Sequence, residues 1–425
     1  MKTLRILLFF ILTVLWCAGF SQQEYTKSLL KADKLYIKQE YDLAVMLYVE
    51  YLDQYPRDYY AARQAALCYE KLNDPNSAID YWPMVVESMQ VTEQDYFSYA
   101  RSLLSNNRVP DAQKVFLLLA KSQNSGLAEW GKVYKNPARF YMDSSFTKVF
   151  EAKVLNSNLS ESCPFFLGEK VLYLRDRAPT LRIFSPVSDR GTQFIFAFTR
   201  NDSLQFSNTT LYNKFLNIPI YGQISFSPDG SLLYFCKPVS NADMDFPSPY
   251  PFNKYQLYTL KMSTLNDAHP EIKPFKYNNM LYDFMHPCVS QDGNRLYFSS
   301  DMKGSMGGKD IFVCEWNNND WDPPVNVGKE INSVGHDVYP HVTQQGELYY
   351  SSNFRPGMGG LDIFHALPSK EPTKMFEEAK NAGANLNSRY DDFGIYFLYG
   401  GTKGYLSSNR KNGSDDDIFY FSISR

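Results

Sequence analysis

Residues 346–364 read GELYYSSNFRPGMGGLDIF, and the same sentence is written twice more, as GNRLYFSSDMKGSMGGKDIF at 293–312 and as GTKGYLSSNRKNGSDDDIF at 401–419. Each copy leaves a glycine turn, enters an aromatic strand, passes Ser-Ser, crosses a polar loop and ends in Asp-Ile-Phe. A turn, an apolar strand, a polar loop and a second strand make a hairpin. Working outward, Leu172-Tyr173-Leu174 and Leu233-Tyr234-Phe235 add two fainter copies of the strand, and Pro228-Asp229-Gly230 and Gln291-Asp292-Gly293 repeat the turn. The strand tyrosines Tyr173, Tyr234, Tyr297, Tyr349 and Tyr405 lie 61, 63, 52 and 56 residues apart. The pairs Cys163-Pro164, His286-Pro287 and Tyr339-Pro340 open three of the copies. Small sheets repeated radially pack face to face and hide their edges, which predicts a β-propeller over 143–425. Five blades are counted; six is the alternative if the stretch from Asn241 to Pro274 holds another.

The two ends of this region complete each other. Full copies close on Asn-Ser, at Asn332-Ser333 and Asn387-Ser388, but the last copy stops at Arg425 without that ending. The missing ending occurs before the first copy, at Asn156-Ser157, after Phe146-Thr147-Lys148-Val149-Phe150. Residues around 145–155 are therefore expected to supply the outer strand of the last blade and hide two open edges.

Before residue 143 the period is different. Ala44, Ala78 and Ala112 lie 34 residues apart, as do Ala32, Ala66 and Ala100. Tyr48, Trp82 and Phe116 follow the first set by four residues, and Leu35, Tyr69 and Leu103 keep the same spacing. Paired helices approach closely only where both carry small side chains, and a large ring one turn later fills the groove against the next pair. Over about 25–125 the pattern resembles the tetratricopeptide repeat family, which implies an α-solenoid of three hairpins with a concave groove along the first helices. That resemblance points to Asp33, Tyr36, Tyr60, Arg63, Gln94 and Arg101 as partner-binding groove positions, with solvated helix residues as the plain alternative. Residues 126–142 are expected to be a linker or capping helix.

The blades resemble the PD40 repeats of the TolB-like, WD40-like propeller class. Helical repeats followed by PD40 blades on an exported chain resemble the PorE-like family of type IX secretion. That resemblance implies a place in an envelope assembly. Members of the family continue into an OmpA-like domain, which is not expected here beyond Arg425, so cell-wall anchoring through it is not expected either.

Composition sets the compartment and excludes some partners. The formal charge is −3 and no basic run concentrates positive charge, so nucleic acid is not an expected partner. Lys2 and Arg5 precede an apolar run from Ile6 to Trp16 with small residues at Gly19 and Ser21, the layout of a signal peptide over 1–21. The run is shorter than a membrane span needs, and a lipoprotein would use Cys17, where Trp16 stands in place of a small residue. The mature chain, with 41 basic against 46 acidic residues, is expected in the periplasm without a membrane span. Its cysteines Cys68, Cys163, Cys236, Cys288 and Cys314 are odd in number and lack CxxC spacing, so free buried thiols are expected.

Catalytic signals are weak. His336, Asp337 and His341 have a ligand-like spacing, but Asp337 precedes Pro340 as Glu161 precedes Pro164, which assigns it to the blade repeat. Asp415-Asp416-Asp417 lies in a blade loop whose siblings carry Met-Gly-Gly. The loops at Gly304–Gly308 and Gly357–Gly360 lack the Lys-Ser/Thr ending of a phosphate cradle, and no G-x-S-x-G elbow occurs. The repeated Asp of Asp-Ile-Phe reads as a turn cap. No catalytic residue, cofactor or metal is expected. The expectation is a non-catalytic scaffold gripping periplasmic or outer-membrane proteins. The alternatives are a propeller enzyme or glycan binder for envelope polysaccharide, and a TolB-like envelope-integrity protein.

Overall fold

The computed structural model describes residues 27–424 except 73, 142–146, 169, 177–192, 202–204, 212–219, 240–253, 266, 399, 412 and 414; residues 1–21, expected as a signal peptide, and Cys17 among them lie outside the described residues. Two compact units divide between Ser122 and Gln123. No helix among the described residues is long and apolar enough to cross a membrane.

The first unit is helical. Residues 27–37 form α1, followed by α2 (Tyr41–Gln54), α3 (Tyr59–Lys71), α4 (Pro75–Ala78), α5 (Trp82–Val86), α6 (Glu93–Ser105) and α7 (Val109–Leu118). Short side chains start the helices. The Asp58 carboxylate accepts from Ala61 N at 3.0 Å, and Thr92 with Asp95 closes a capping box on α6. All six alanines of the 34-residue period are fully buried, as are Tyr48, Trp82 and Phe116. The regular hairpin is broken once. The return helix after α3 is split into α4 and α5, because Pro83 has no N–H to continue the ladder and sits in the first turn of a new helix. Ala66 lies in the core with Ala32, Ala44 and Ala78, so Ala66→Leu should overpack it and cost about 1–3 kcal/mol, read as a lower urea midpoint for loss of the helical circular-dichroism signal.

The second unit carries five antiparallel sheets among the described residues. The first runs β2 (Glu161–Leu167), β3 (Lys170–Asp176), β4 (Gln193–Asn201), β5 (Gln205–Leu211), and the second β6 (Tyr221–Phe226), β7 (Leu232–Pro238), β8 (Tyr255–Lys261), β9 (Ile272–Pro274). In the third, β10 (Phe284–Val289) and β11 (Arg295–Ser300) lead to β12 (Asp310–Asn317), which pairs with β13 (Asp320–Trp321) and β14 (Val325–Asn326). The fourth is β15 (Asp337–Val342), β16 (Leu348–Ser352), β17 (Asp362–Ala366), β18 (Lys380–Asn381). The fifth is β19 (Asp392–Phe397), β20 (Lys403–Ser408), β21 (Asp417–Ile423), completed by β1 (Thr147–Glu151). Thr147 stands opposite Ile423 and Glu151 opposite Phe419, so the outer strand of the last sheet comes from before the first. The described part of the stretch from Asn241 to Pro274 is spent on β8 and β9.

The sheets are arranged as propeller-like blades. The first strands neighbour one another in turn, β2 beside β6, β6 beside β10, β10 beside β15, β15 beside β19, and β19 back beside β2. The Asn-Ser endings are latches. Asn332 clasps Ile311 by both backbone groups, at 2.8 and 3.0 Å, and Asn387 clasps Ile363 at 2.6 and 2.9 Å. Asn156 does the same to Ile418, at 2.8 and 3.1 Å. The following serine N–H then caps the acid that opens the next sheet, with Ser333 donating to Asp337 at 2.6 Å and Ser157 to Glu161 at 2.9 Å. The aspartate of Asp-Ile-Phe is a turn cap, since Asp310 accepts from Met306 N and Asp362 from Met358 N and Gly359 N.

The segment 126–142, expected as a linker or capping helix, belongs with the sheets. Helix α8 (Ser125–Val133) and the turn after it hold the fourth sheet's loops. Trp130 Nε1 donates to Phe354 O at 2.6 Å, Tyr134 Oη to Gly357 O at 2.7 Å, and Phe140 O accepts from Ala384 N at 2.7 Å.

Candidate functional site

Every first strand carries the same irregularity. Its pairing with the second strand shifts register, and one residue turns into the left-handed region: Cys163 (φ 53°), Gly222 (66°), His286 (54°), Tyr339 (55°) and Gly394 (58°). These are β-bulges, and the following Pro164, Pro287 and Pro340 fall where no ladder donor is required. The X-Pro pairs of the sequence are bulge markers. Gly222 and Gly394 hold the same place without a proline to flag them.

Side chains from this collar fill the middle of the ring. The His286 imidazole stacks on Tyr339 with ring centres 3.8 Å apart, and Tyr339 leans on Phe393 at 4.7 Å. A Cβ on Gly222 would stand 2.7 Å from the His286 ring, so glycine is required there for space as well as for φ. Gln223 reaches across from the second sheet, its Nε2 donating to Pro287 O at 3.1 Å and Pro340 O at 2.7 Å.

Beyond the collar a cavity of about 320 Å³ opens, walled by residues from all five first strands. Phe165, Phe166, Phe226 and Tyr396 give it aromatic walls, with Phe165 lying 5.3 Å from Phe226 and 5.1 Å from Tyr396. None of the described lining residues is an acid, a lysine or an arginine. Burial holds His341 neutral by depressing its pKa to about 4, and Phe397 N donates to its Nε2 at 3.3 Å. Burial likewise pushes the Cys288 thiol up to about 12, far from thiolate chemistry at neutral pH. All five described cysteines are buried and free.

The ligand-like trio is not brought together. Asp337 serves the Ser333 latch, His336 Nδ1 accepts from Lys309 N at 3.0 Å, and His341 faces the aromatic cavity. Among the described residues no group of three or more His, Cys, Asp or Glu could hold a metal ion. In the helical unit, Tyr60 donates to Asp33 at 2.9 Å and Arg63 pairs with Asp95, which ties neighbouring first helices to each other. Tyr36 packs edge-on against Tyr41, Arg101 lies over the Phe97 ring, and Gln94 is exposed. Burial also raises the Glu70 carboxyl, unremarked in the sequence, to about 7, opposed by Arg101 and by the Ser98 hydroxyl 3.4 Å away.

No family model matches the chain, and no curated protein does. Among solved structures it is similar to TolB from Acinetobacter baumannii, at 14% identity and TM-score 0.34 over 64% of this chain and 56% of that one. It is similar to a gluconolactonase from Xanthomonas campestris, at 12% identity and TM-score 0.35 over 65% of this chain and 89% of that one. An α-L-arabinofuranosidase from Lactobacillus brevis is 9% identical with TM-score 0.39, over 64% of this chain and 94% of that one. Overlaps this loose say nothing of what this chain does.

Proposed function

We propose that this is an exported, non-catalytic periplasmic scaffold of an envelope assembly, associated with type IX secretion or the outer membrane. In this reading the three hairpins are tetratricopeptide repeats that grip one partner, and the five sheets are a single closed PD40-type propeller whose cavity mouth receives another. The observation that carries it is the cavity wall: the described residues that five strands bring to it include no acid, lysine or arginine, and the histidine among them is held neutral. Acid–base chemistry needs titratable groups poised near the working pH, and a receiving surface does not. The buried acids Glu161, Asp337 and Asp392 are engaged in holding sheets together.

Affinity capture of the tagged mature protein from envelope extracts should recover outer-membrane barrel or secretion-ring components, and Tyr60→Ala with Arg63→Ala should deplete one subset of them. An eluate no richer than the empty-tag control would count against the scaffold. The aromatic walls favour one second reading, capture of an envelope polysaccharide; turnover of any member of a glycan panel would establish an enzyme instead. A TolB-like part in envelope integrity predicts detergent sensitivity on deletion.

A further inference from the structure

Three neutral polar side chains of the cavity wall keep hydrogen-bonding capacity beyond their bonds to Phe397, Val289, Pro287 and Pro340. Phe397 N–H occupies His341 Nε2, so the single proton of the neutral ring sits on Nδ1 and is free to donate. Ser225 Oγ accepts from Val289 N at 3.0 Å, which leaves its O–H to donate. The Gln223 amide spends its Nε2 on two carbonyls of the collar, which leaves Oε1 to accept. His341, Ser225 and Gln223 all line the cavity, among aromatic walls. A charged ligand entering here would lose its hydration and meet no counter-ion among the described lining residues, a cost of several kcal/mol in a desolvated site.

We propose that the cavity is a binding site for an uncharged ring-bearing group with an amide-like pair of acceptor and donor, and that it selects against charged analogues. His341 Nδ1–H and Ser225 O–H meet the acceptor, Gln223 Oε1 meets the donor, and Phe165 and Tyr396 flank the ring. The collar of His286, Tyr339 and Gln223 is the floor, so a ligand enters and leaves by the same mouth. This rests on the reading of the mouth as a receiving face and names the chemistry of what it receives. In a macromolecular partner the group is an uncharged side chain or terminus of that kind.

The probes are benzamide, benzoate and benzylammonium, which share a ring and differ in charge, titrated at pH 7 into the full-length mature protein by ligand-observed NMR. Benzamide should bind at least about ten-fold more tightly than either ion. His341→Phe, which keeps a ring and removes the donor, should weaken benzamide about ten-fold, and His341→Gln, which restores a donor, should stay within about three-fold of the parent. Should His341→Phe fail to fold by circular dichroism, Ser225→Ala should lower benzamide affinity by about three-fold or more in its place. Benzoate or benzylammonium binding as well as benzamide, benzamide affinity unmoved by these variants, or no benzamide binding at all would overturn the proposal. Partner capture is read separately: benzamide bound with no partner recovered sinks the scaffold alone, and partners recovered with benzamide excluded sink this inference alone.

Discussion

Asn156→Ala is expected to unlatch the outer strand of the last sheet, at a cost of about 1–3 kcal/mol. The Asn156 amide satisfies both backbone groups of Ile418, a fully buried residue one position into β21. Alanine leaves the buried Ile418 N–H without a partner, worth about 1–3 kcal/mol, while the Ile418 C=O keeps the Ala152 N–H at 2.9 Å. The same change at Asn332 should cost a similar amount locally, because Asn332 clasps Ile311 in the same way. The difference lies in what is released. Asn332 follows its own sheet along the chain, whereas Asn156 anchors β1, which reaches its sheet from the far end of the unit. Hydrogen exchange should therefore quicken across 147–151 and 417–423 in Asn156→Ala and stay slow there in Asn332→Ala. Equal protection of β1 and β21 in both variants would mean that the latch does not hold the closure.

Arg175→Met should cost about 3–5 kcal/mol at neutral pH, and the loss should shrink as the pH falls. Arg175 Nε lies 2.6 Å from a carboxylate oxygen of Glu161, which has no exposed surface, and Nη2 donates to Tyr173 Oη at 2.9 Å. Removing one partner of a buried pair strands the other as an uncompensated charge. Burial already holds the Glu161 carboxyl above its ordinary pKa, outweighing the Ser157 hydrogen bonds and the Arg175 charge that pull it down. Without the guanidinium it must rise further. A carboxyl with a folded-state pKa above its unfolded value binds a proton more tightly when folded, so the variant regains stability as pH falls from neutral toward the ordinary carboxylate range. Urea melts of parent and Arg175→Met between pH 8 and pH 4.5 should converge toward acid, and adding Glu161→Gln should recover much of the loss at pH 8. A gap that ignores pH would remove the stranded carboxylate as its cause.

Much of this was legible because repetition exposes it. Asn156 could be found from the sequence since its siblings Asn332 and Asn387 spell out where each sheet ends, and the alanine period located the helix crossings in the same way. The split between α4 and α5 escaped, although Pro83 marks it, because the 34-residue register runs through Trp82 undisturbed. The collar was half visible. Three bulges announce themselves by X-Pro, while Gly222 and Gly394 reach the same backbone conformation without proline. Gln223 had no sibling at all, and its partners are the carbonyls of Pro287 and Pro340, which no side-chain pattern records. The same reason hid the role of α8. Trp130 and Tyr134 bind backbone oxygens at Phe354 and Gly357, more than two hundred residues away, so the segment looked like a connector.

The β1–β21 pairing also sets an order of events. During synthesis β1 is the first described strand of its unit to be made and β21 the last, with Asn156 and Ile418 standing 262 positions apart. Bringing such distant points together costs on the order of 5 kcal/mol of chain entropy, a sum that grows only with the logarithm of the separation. Until β21 has been synthesised, β1 must wait without its own ladder, and four sheets have time to form before the fifth can. The ribosome thus finishes the unit with the one strand that gives its earliest-made strand a place to dock.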